Sequence, residues 1–182
     1  MEAQILLFIQ NNMRTTLLDP LMMAITGLGN AGIFWIILTA VLLIFKKTRR
    51  VGLCCAAALA IDVLIVNAIV KPIVARVRPY DVIEGLICMV GPQKDPSFPS
   101  GHTASSFAAA FALFLKIPKK FGIPALLMAA LIGFSRLYVG VHYPTDVLFG
   151  MIFGILIAIL AVFIMDRIFA LIDRKRAAKK EG

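Results

Sequence analysis

The sequence has little that would hold a metal ion. It contains only three cysteines and two histidines in 182 residues, and its ten acidic residues are scattered. Cys54 and Cys55 are adjacent and Cys88 stands alone, without the CxxC or Cys/His spacing of a zinc site, so all three are expected to be packing residues. No carboxylates cluster in a way that indicates a magnesium site. We therefore expect neither a metal nor another cofactor.

Charged residues are scarce as well. They make up 16% of the chain, whereas hydrophobic residues make up 60%, well above the roughly 45–50% typical of soluble domains. This composition excludes a soluble globular domain and indicates an integral membrane protein with one domain over residues 1–182. The chain has no repeats and no low-complexity tract.

The net charge of +9 does not indicate nucleic-acid binding, because of where the basic residues lie. Most of them form clusters between or after apolar segments, at Lys46 to Arg50, Lys116 to Lys120 and Arg167 to Lys180. Cytoplasmic loops of membrane proteins carry this bias. We expect a multi-pass cell-membrane protein whose basic loops and basic tail, residues 169–182, are cytoplasmic, and whose partner is the lipid bilayer.

Five apolar segments are candidates for helices that cross the membrane: 20–45, 51–70, 102–116, 122–137 and 145–168. A crossing helix needs about 20 residues. The third and fourth segments are shorter, so we expect them to leave a polar opening at one end. The GLGN stretch at 27–30 offers a break in the first segment, which gives six helices instead of five.

The first nineteen residues have a different pattern. Leu6, Ile9, Met13 and Leu17 recur at helical spacing, opposite polar residues such as Gln10. This pattern predicts an amphipathic helix over 1–19 that lies in the membrane interface. The expected fold class is therefore all-α, a polytopic transmembrane bundle of five to six helices with an N-terminal interfacial helix.

Helix alternation places the polar residues of interest at one end of this bundle. If the basic clusters are cytoplasmic, the second helix runs outward to Lys71 and the third begins at His102. The fourth then ends near Arg136, and the fifth begins after His142. Residues 71–101 become an extracytoplasmic loop, and we expect the active site there.

Cations occur on this outer face in the stretch KPIVARVRP, at Lys71, Arg76 and Arg78. They run against the positive-inside bias, so an anionic partner is expected to hold them there. Arginine offers a planar fork and lysine a point charge, which together suit a phosphoryl group. Taken alone, the stretch also fits a basic rim that binds lipid headgroups.

Both histidines precede apolar runs. In PSGH, Gly101 permits close backbone approach, and the helix starting near His102 points free N–H groups at an anion. In HYPTD, a carboxylate at Asp146 can accept a hydrogen bond from one nitrogen of His142 and leave the other free to attack. The alternatives are an ordinary helix cap with an incidental histidine, and an aspartate that complements the helix dipole.

Together, the three stretches indicate covalent phosphoryl transfer. Two histidines, several cations, an anion-binding helix start and an orienting carboxylate are expected on one face. Without a metal, lysine and arginine must neutralise the charge of the transferring group. We therefore expect a metal-independent enzyme.

The motifs that carry this chemistry resemble those of the type 2 phosphatidic acid phosphatase superfamily. They are Lys71 with Arg78-Pro79 seven residues on, Pro99-Ser100-Gly101-His102, and Ser135-Arg136 followed by His142 and Asp146. The resemblance implies that His142 is the nucleophile that forms a phosphohistidine, Asp146 orients it, and His102 is the general acid. It also implies phosphate ligands, which are Lys71, Arg78, Ser100, Gly101 and Arg136.

The short chain is similar to the superfamily's bacterial undecaprenyl-diphosphate phosphatases, which implies a membrane lipid phosphate as substrate. Phosphatidylglycerophosphate, phosphatidate and lipid A phosphatases share the motifs and stay open as alternatives. A non-enzymatic protein that binds lipid headgroups explains the arginines, but it does not explain His142 with Asp146.

Three features lie outside the motifs. We hypothesise that Arg76 contacts the distal phosphate of a diphosphate. Asp62, with Asn67 in the same helix, is expected to make an interhelix hydrogen bond or to be a protonated acid, since intramembrane carboxylates need such a reason. Gly150 and Gly154 form a GxxxG pattern, which favours close helix packing within the chain over dimerisation.

Overall fold

The computed structural model describes residues 1–181, with side chains to residue 179, so the end of the predicted basic tail at Gly182 lies outside the described residues. All regular structure in this range is helical, which confirms the all-α prediction. The helices are α1 (Glu2–Met13), α2 (Leu18–Leu28), α3 (Ile33–Ile44), α4 (Arg49–Asp62), α5 (Lys71–Val74), α6 (Gly101–Lys116), α7 (Lys119–Tyr138) and α8 (Pro144–Glu181). A π-helical segment, Val63–Val70, joins α4 to α5, and short 3-10 turns occupy Asn30–Gly32 and Pro79–Asp81.

Several helices are long and apolar enough to cross a membrane. Three are continuous: Arg49–Asp81, Lys119–Tyr138 and Pro144–Lys179. Leu18–Leu28 and Asn30–Ile44 make a fourth crossing if they count as one span, although they are bent by 52°. The protein is therefore a helical membrane protein. Helix α6 has 16 residues, fewer than the about 20 that a complete crossing needs.

The first predicted segment, 20–45, is not one helix. It breaks at the GLGN stretch, where Gly32 has φ +67°, a left-handed conformation that favours glycine. Gly29 lies so close to α6 and α7 that a Cβ there would stand 2.7 Å from His102 Cδ2 and 2.8 Å from Ile132. The break therefore brings the α2–α3 junction against the start of α6.

Helix α6 is the centre of the bundle and packs against α4, α7 and α8. Small residues make this packing close, because a Cβ at Gly150 would stand 2.7 Å from the Ser100 carbonyl oxygen and one at Gly154 would stand 2.5 Å from that of Ala104. Buried alanines on α6, including Ala108, complete the contact. The GxxxG pattern thus packs within the chain, as predicted.

Helix α8 is longer than predicted. The sequence placed it at 145–168 with a separate tail, whereas the structure continues the helix from Pro144 to Glu181. Contacts explain the extension, because Phe169 packs in the core and Asp173 pairs with Arg50 at 2.5 Å. Lys116 likewise pairs with Asp166 at 2.5 Å. These ion pairs lie at the end of the bundle that carries the basic clusters.

The prediction of one helix over 1–19 is wrong. Helix α1 ends at Met13, and the Leu18 N–H donates to Thr15 Oγ at 3.1 Å as α2 begins. Helix α1 buries Leu6 and Ile9. Polar residues on it bond elsewhere in the chain, since Arg14 donates to the Tyr138 carbonyl at 2.8 and 3.0 Å. Helix α1 therefore packs at the end of α7, away from the basic clusters.

Candidate active site

Most of the predicted site residues surround a single cavity of about 400 Å³. Residues from five separate segments line it, and the predicted ones among them are Lys71, Arg78, Gly101, His102, Arg136 and His142. Asp146, Ser100 and Arg76 are not part of the lining. The segments meet because α5 and α7 end, and α6 begins, at the same side of the bundle.

His142 lies between a guanidinium and a carboxylate. Its Nε2 is 3.1 Å from Arg78 Nη1, and its Nδ1 is 3.4 Å from Asp146 Oδ2. Arginine has only donors, so Nε2 must be the acceptor and the proton must be on Nδ1. The arrangement therefore leaves the lone pair of Nε2 directed at the cation-lined cavity.

The imidazole of His142 is neutral in this environment. It is 1% exposed, and burial, followed by the charges of Arg78 and Arg136, lowers its pKa to about 3, although the hydrogen bond to Asp146 acts in the other direction. Burial disfavours the charged imidazolium, and the nearby guanidinium groups add to that effect. A neutral imidazole with a free Nε2 is the form that can act as a nucleophile.

Asp146 is completely buried, and four donors hold it. Besides His142, they are the Ser97 hydroxyl, the Tyr143 backbone N–H at 2.9 Å, and Arg76 Nη1 at 2.6 Å on the other carboxylate oxygen. Charge-assisted hydrogen bonds of this kind are strong. The carboxylate is thus fixed in place beneath His142. No local pattern indicates the role of Ser97, because its contact with Asp146 spans 49 residues.

Three cations are buried around the cavity. Lys71 Nζ donates to the Pro96 carbonyl at 3.1 Å, and Arg78 Nη1 donates to the Val141 carbonyl at 2.8 Å. Arg136 Nη1 donates to Thr26 Oγ at 2.6 Å, while its Nε has no hydrogen-bond partner within the described part of the chain. A buried donor without a partner is costly, so a ligand oxygen would satisfy this one.

An acidic side chain reaches the same cations. Asp95 pairs with Lys71 through Oδ2 and with Arg78 Nη2 through Oδ1 at 2.8 Å. Burial alone would raise the pKa of this carboxyl, but the hydrogen bond from Lys71 and the charges of Lys71 and Arg78 lower it below its usual value. Asp95 is therefore ionised near neutral pH. No local motif in the sequence indicates these contacts of Asp95.

His102 begins α6 and faces the α2–α3 junction. Asn30 Oδ1 lies 3.0 Å from its Nε2, and because a carboxamide oxygen only accepts, that nitrogen is the donor. Ser100 caps the helix, as its hydroxyl oxygen accepts from the Thr103 backbone N–H at 3.4 Å and from the Thr103 hydroxyl at 2.9 Å. Ser100 is fully buried, so its side chain supports the helix start instead of lining the cavity.

Arg76 does not point where the sequence-based hypothesis placed it. Its guanidinium donates to Glu2, Thr145 and Asp146 at 2.6 to 2.7 Å, and it stacks 3.8 Å from the centre of the Tyr143 ring. A side chain with all these partners is not free to bind a distal phosphate. Arg76 instead lies behind Asp146 and connects it to the first turn of α1.

Asp62 lines the cavity together with Asn67. Of the two predicted alternatives, the interhelix hydrogen bond is absent, because neither carboxyl oxygen has a partner among the described residues, and the protonated acid stays a prediction. The π-helical segment explains why both residues share a face, since its hydrogen bonds join residues five apart and a turn takes more residues than in an α-helix. Around them the wall is apolar, with Ile36, Leu59 and Val63.

No group of three or more His, Cys, Asp or Glu side chains is arranged to hold a metal ion in the part of the chain that the structure describes. The charges that face the cavity come mainly from Lys71, Arg78 and Arg136.

The structure thus defines a membrane helix bundle in which a buried histidine and aspartate lie beside three cations, an arrangement that can hold an anion next to a nucleophile. The sequence profile of the PAP2 superfamily matches residues 51–170, which include this site. The chain belongs to the PAP2 superfamily.

Individual relatives agree with this assignment. The chain is 34% identical over 145 residues to an undecaprenyl-diphosphatase of Sulfolobus acidocaldarius, covering 80% of this chain and 69% of the relative. It is 30% identical over 158 residues to undecaprenyl-diphosphatase BcrC of Bacillus subtilis, covering 87% of this chain and 80% of the relative.

Two solved structures are also similar. The crystal structure of Aquifex aeolicus LpxE matches with a TM-score of 0.78 and 29% identity, over 88% of this chain and 94% of that one. A transmembrane PAP2-type phosphatidylglycerolphosphate phosphatase from Bacillus subtilis matches with a TM-score of 0.74 and 29% identity, over 92% and 85%.

Proposed function

We propose that the protein is a metal-independent membrane lipid phosphatase that works through a phosphohistidine at His142. One observation carries the proposal: the neutral imidazole of His142 has its proton on Nδ1, facing Asp146, and an unprotonated Nε2 that accepts from Arg78. This pairing gives a nucleophile and a phosphate-binding cation at the same point. The relatives named above support the same class of reaction.

In the first step, His142 Nε2 attacks phosphorus and the bond from phosphorus to the leaving oxygen breaks. His102, which takes up a proton once the anionic substrate is bound, gives that proton to the leaving oxygen, so the shortened lipid leaves neutral at the cleaved position. Lys71, Arg78 and Arg136, with the backbone N–H groups at Gly101, bind the phosphoryl oxygens and stabilise the charge on them. Asp146 stabilises the imidazolium character that develops on His142.

In the second step, water attacks the phosphohistidine. His102, now neutral, takes a proton from the water, the P–N bond breaks, and the electron pair returns to Nε2. Inorganic phosphate leaves and both histidines recover their starting forms. Asn30 and Arg76 act as positioning residues in this scheme, since they contact His102 and Asp146 and not the cavity's phosphate-binding end.

We propose undecaprenyl diphosphate as the substrate, cleaved to undecaprenyl phosphate. Two relatives with that activity in their names align over most of the chain. The apolar residues Ile36, Leu59 and Val63 also line the cavity, and we place the lipid chain against them, between α3 and α4. Lipid A, phosphatidylglycerophosphate and phosphatidate are the alternatives, and one of the two similar structures is a phosphatidylglycerolphosphate phosphatase by name.

The topology belongs to the proposal too. Residues 1–182 form one integral-membrane domain, and residues 71–101 face the extracytoplasmic side. The basic clusters and the C-terminal region 169–182 face the cytoplasm, which is where the positive-inside rule puts them. Helix α1 lies along the outer interface, because it packs at the end of the bundle where the cavity opens.

The test is phosphate release by purified protein in detergent with EDTA present. Undecaprenyl diphosphate, phosphatidylglycerophosphate, phosphatidate and lipid A are compared, each with wild type and His142→Ala. We expect release that survives EDTA, is fastest with the diphosphate, and falls at least about a thousandfold in the variant. Release that EDTA abolishes, or that persists in His142→Ala, contradicts the mechanism.

A further inference from the structure

Asp95 lies where the proposed phosphate would bind. Its two carboxylate oxygens pair with two different cations, Lys71 and Arg78. Arg78 Nε also donates to the Asp95 backbone carbonyl at 3.1 Å. Both cations are 4% exposed, so the carboxylate neutralises charges that the solvent hardly reaches.

The carboxylate of Asp95 is paired with both cations but is also exposed to solvent. The side chain of Asp95 is 51% exposed, whereas those of Lys71 and Arg78 are each 5% exposed. Asp95 belongs to the irregular segment that precedes α6 and is not part of a helix. It can therefore swing outward into solvent while the two cations stay in place.

Exchange of the carboxylate for a lipid phosphate depends on charge. A phosphodiester headgroup carries a single negative charge, the same as Asp95, so replacing the carboxylate gives no additional attraction to Lys71 and Arg78. A phosphate monoester carries about −1.5 to −2 at pH 7, and a diphosphate carries more. In a poorly solvated site that difference is large, because charge interactions strengthen as water is excluded.

We propose that Asp95 is a specificity-determining residue that selects headgroups by charge: it excludes the phosphodiester lipids of the bulk membrane, while terminal phosphates displace it. This inference rests on the proposed phosphatase function and deepens it. A site with bare cations open to the bilayer would be filled by the abundant phosphodiesters. Asp95 keeps the cations neutralised until a more highly charged phosphate arrives.

The experiment compares wild type with Asp95→Asn in detergent micelles. Asparagine keeps the shape and removes the charge, and Glu84→Gln is the matched control, since Glu84 is an exposed carboxylate of the same connection. The rate on a polyprenyl diphosphate is measured with increasing phosphatidylglycerol, a singly charged phosphodiester. Thermal unfolding of each variant checks that it is folded, and Asp95→Ala repeats the test without the carboxamide.

We expect phosphatidylglycerol to inhibit Asp95→Asn competitively, with an inhibition constant at least about tenfold lower than in wild type. Asp95→Ala should behave in the same way, and Glu84→Gln should match wild type. An unchanged inhibition constant in both Asp95 variants overturns the inference. A higher KM for the diphosphate in both Asp95 variants also overturns the inference, because it means that the carboxylate orients the cations for substrate binding.

A binding measurement separates this failure from failure of the proposed function. Calorimetric titration with phosphatidylglycerol in micelles needs no turnover, and we expect at least about tenfold tighter binding by Asp95→Asn. If wild type releases no phosphate from any lipid, the proposed function fails. Equal phosphatidylglycerol binding by wild type and Asp95→Asn overturns the role of Asp95 whether or not the protein is a phosphatase.

Discussion

At the scale of single residues, Arg76 connects parts of the chain that are far apart in sequence. It bonds to Glu2 in α1, to Thr145 at the start of α8 and to Asp146. Arg76 affects the proposed chemistry through Asp146, because its hydrogen bond keeps that carboxylate oriented towards His142. This makes Arg76 a positioning residue, which differs from the phosphate ligand that its place in KPIVARVRP suggested.

Arg76→Ala is expected to lower kcat about 10- to 100-fold with little change in KM. A charge-assisted hydrogen bond contributes about 1.5–3 kcal/mol, and each 1.36 kcal/mol is a factor of ten in rate. The loss should be equal for monophosphate and diphosphate lipids, and Arg76→Lys should recover part of it. Arg50→Ala is the control, because its ion pair with Asp173 lies at the opposite end of the bundle.

The kinetic parameters on the two lipid types decide the role of Arg76. A rise in KM confined to the diphosphate would restore the hypothesis of a distal-phosphate contact. If Arg76→Lys does not recover any of the lost kcat, charge and hydrogen bonding to Asp146 are not how the guanidinium acts.

His142 offers a direct test of its protonation state. Because its pKa is lowered to about 3, it should stay neutral, with the proton on Nδ1, throughout the range where an ordinary histidine titrates, near 6.5. The chain has only two histidines, so nitrogen NMR of histidine-labelled protein resolves both, and His102→Gln assigns the signals. A titration of His142 near pH 6.5, or a proton on Nε2, contradicts the structure.

The same pKa has a consequence for stability. The unfolded chain takes up a proton at His142 as the pH falls below about 6.5, whereas the folded chain does so only near pH 3. Proton uptake by the unfolded state favours unfolding. The contribution of His142 to folding stability should therefore decrease steadily as the pH falls from 6.5 towards 3.

At the scale of elements, the contact of α6 with α8 places the PSGH turn above Asp146. The Ser100 backbone N–H donates to the Asp146 carbonyl at 3.0 Å, and Gly150 and Gly154 let the two helix backbones approach. The glycines thus serve the site as well as the fold, because the spacing of the helices sets the spacing of His102 from His142.

Gly154→Ala is expected to destabilise the protein, since its Cβ would stand 2.5 Å from the Ala104 carbonyl oxygen. Overpacking of this kind costs about 1–3 kcal/mol and should lower Tm in detergent by several degrees. Gly27→Ala is the matched control, because nothing lies within 4 Å of a Cβ there. Equal Tm values for the two variants would contradict the packing of α6 on α8.

At the scale of the whole molecule, the sequence predicted an all-helical membrane protein and a common end of the bundle at which the polar residues meet. Apolar length and the basic clusters carry that information, and Pro118 and Pro144 mark helix starts. It did not predict that α1 docks through Glu2, that Ser97 holds Asp146, or that Asp95 reaches Lys71. Such contacts join residues from 24 to 143 positions apart, and no local pattern encodes them.

Where the prediction failed, the competing contact can be named. Asp62 makes no hydrogen bond within the described residues because it faces the cavity and not a neighbouring helix. The basic tail is helical because Phe169 and Asp173 contact the bundle. In both cases the packing of the helices against one another, which a single sequence does not specify, determined the outcome.

The proposed topology predicts which residues reagents outside the cell can reach. In a variant without cysteines, Glu84→Cys should react in intact cells with a maleimide that cannot cross the membrane, and Lys47→Cys should react only after the membrane is permeabilised. Both side chains are exposed, so a difference in labelling between the two positions cannot result from burial. Labelling of Lys47→Cys in intact cells would reverse the proposed orientation.

The most direct test of a phosphohistidine at His142 is to trap it. Wild-type protein is mixed with undecaprenyl diphosphate labelled at the distal phosphate, quenched in alkali during turnover, and digested for mass spectrometry. We expect an acid-labile, alkali-stable phosphate on the peptide that contains His142, and none in His142→Ala. Rapid phosphate release without any labelled protein, or a label on another residue, would contradict the mechanism.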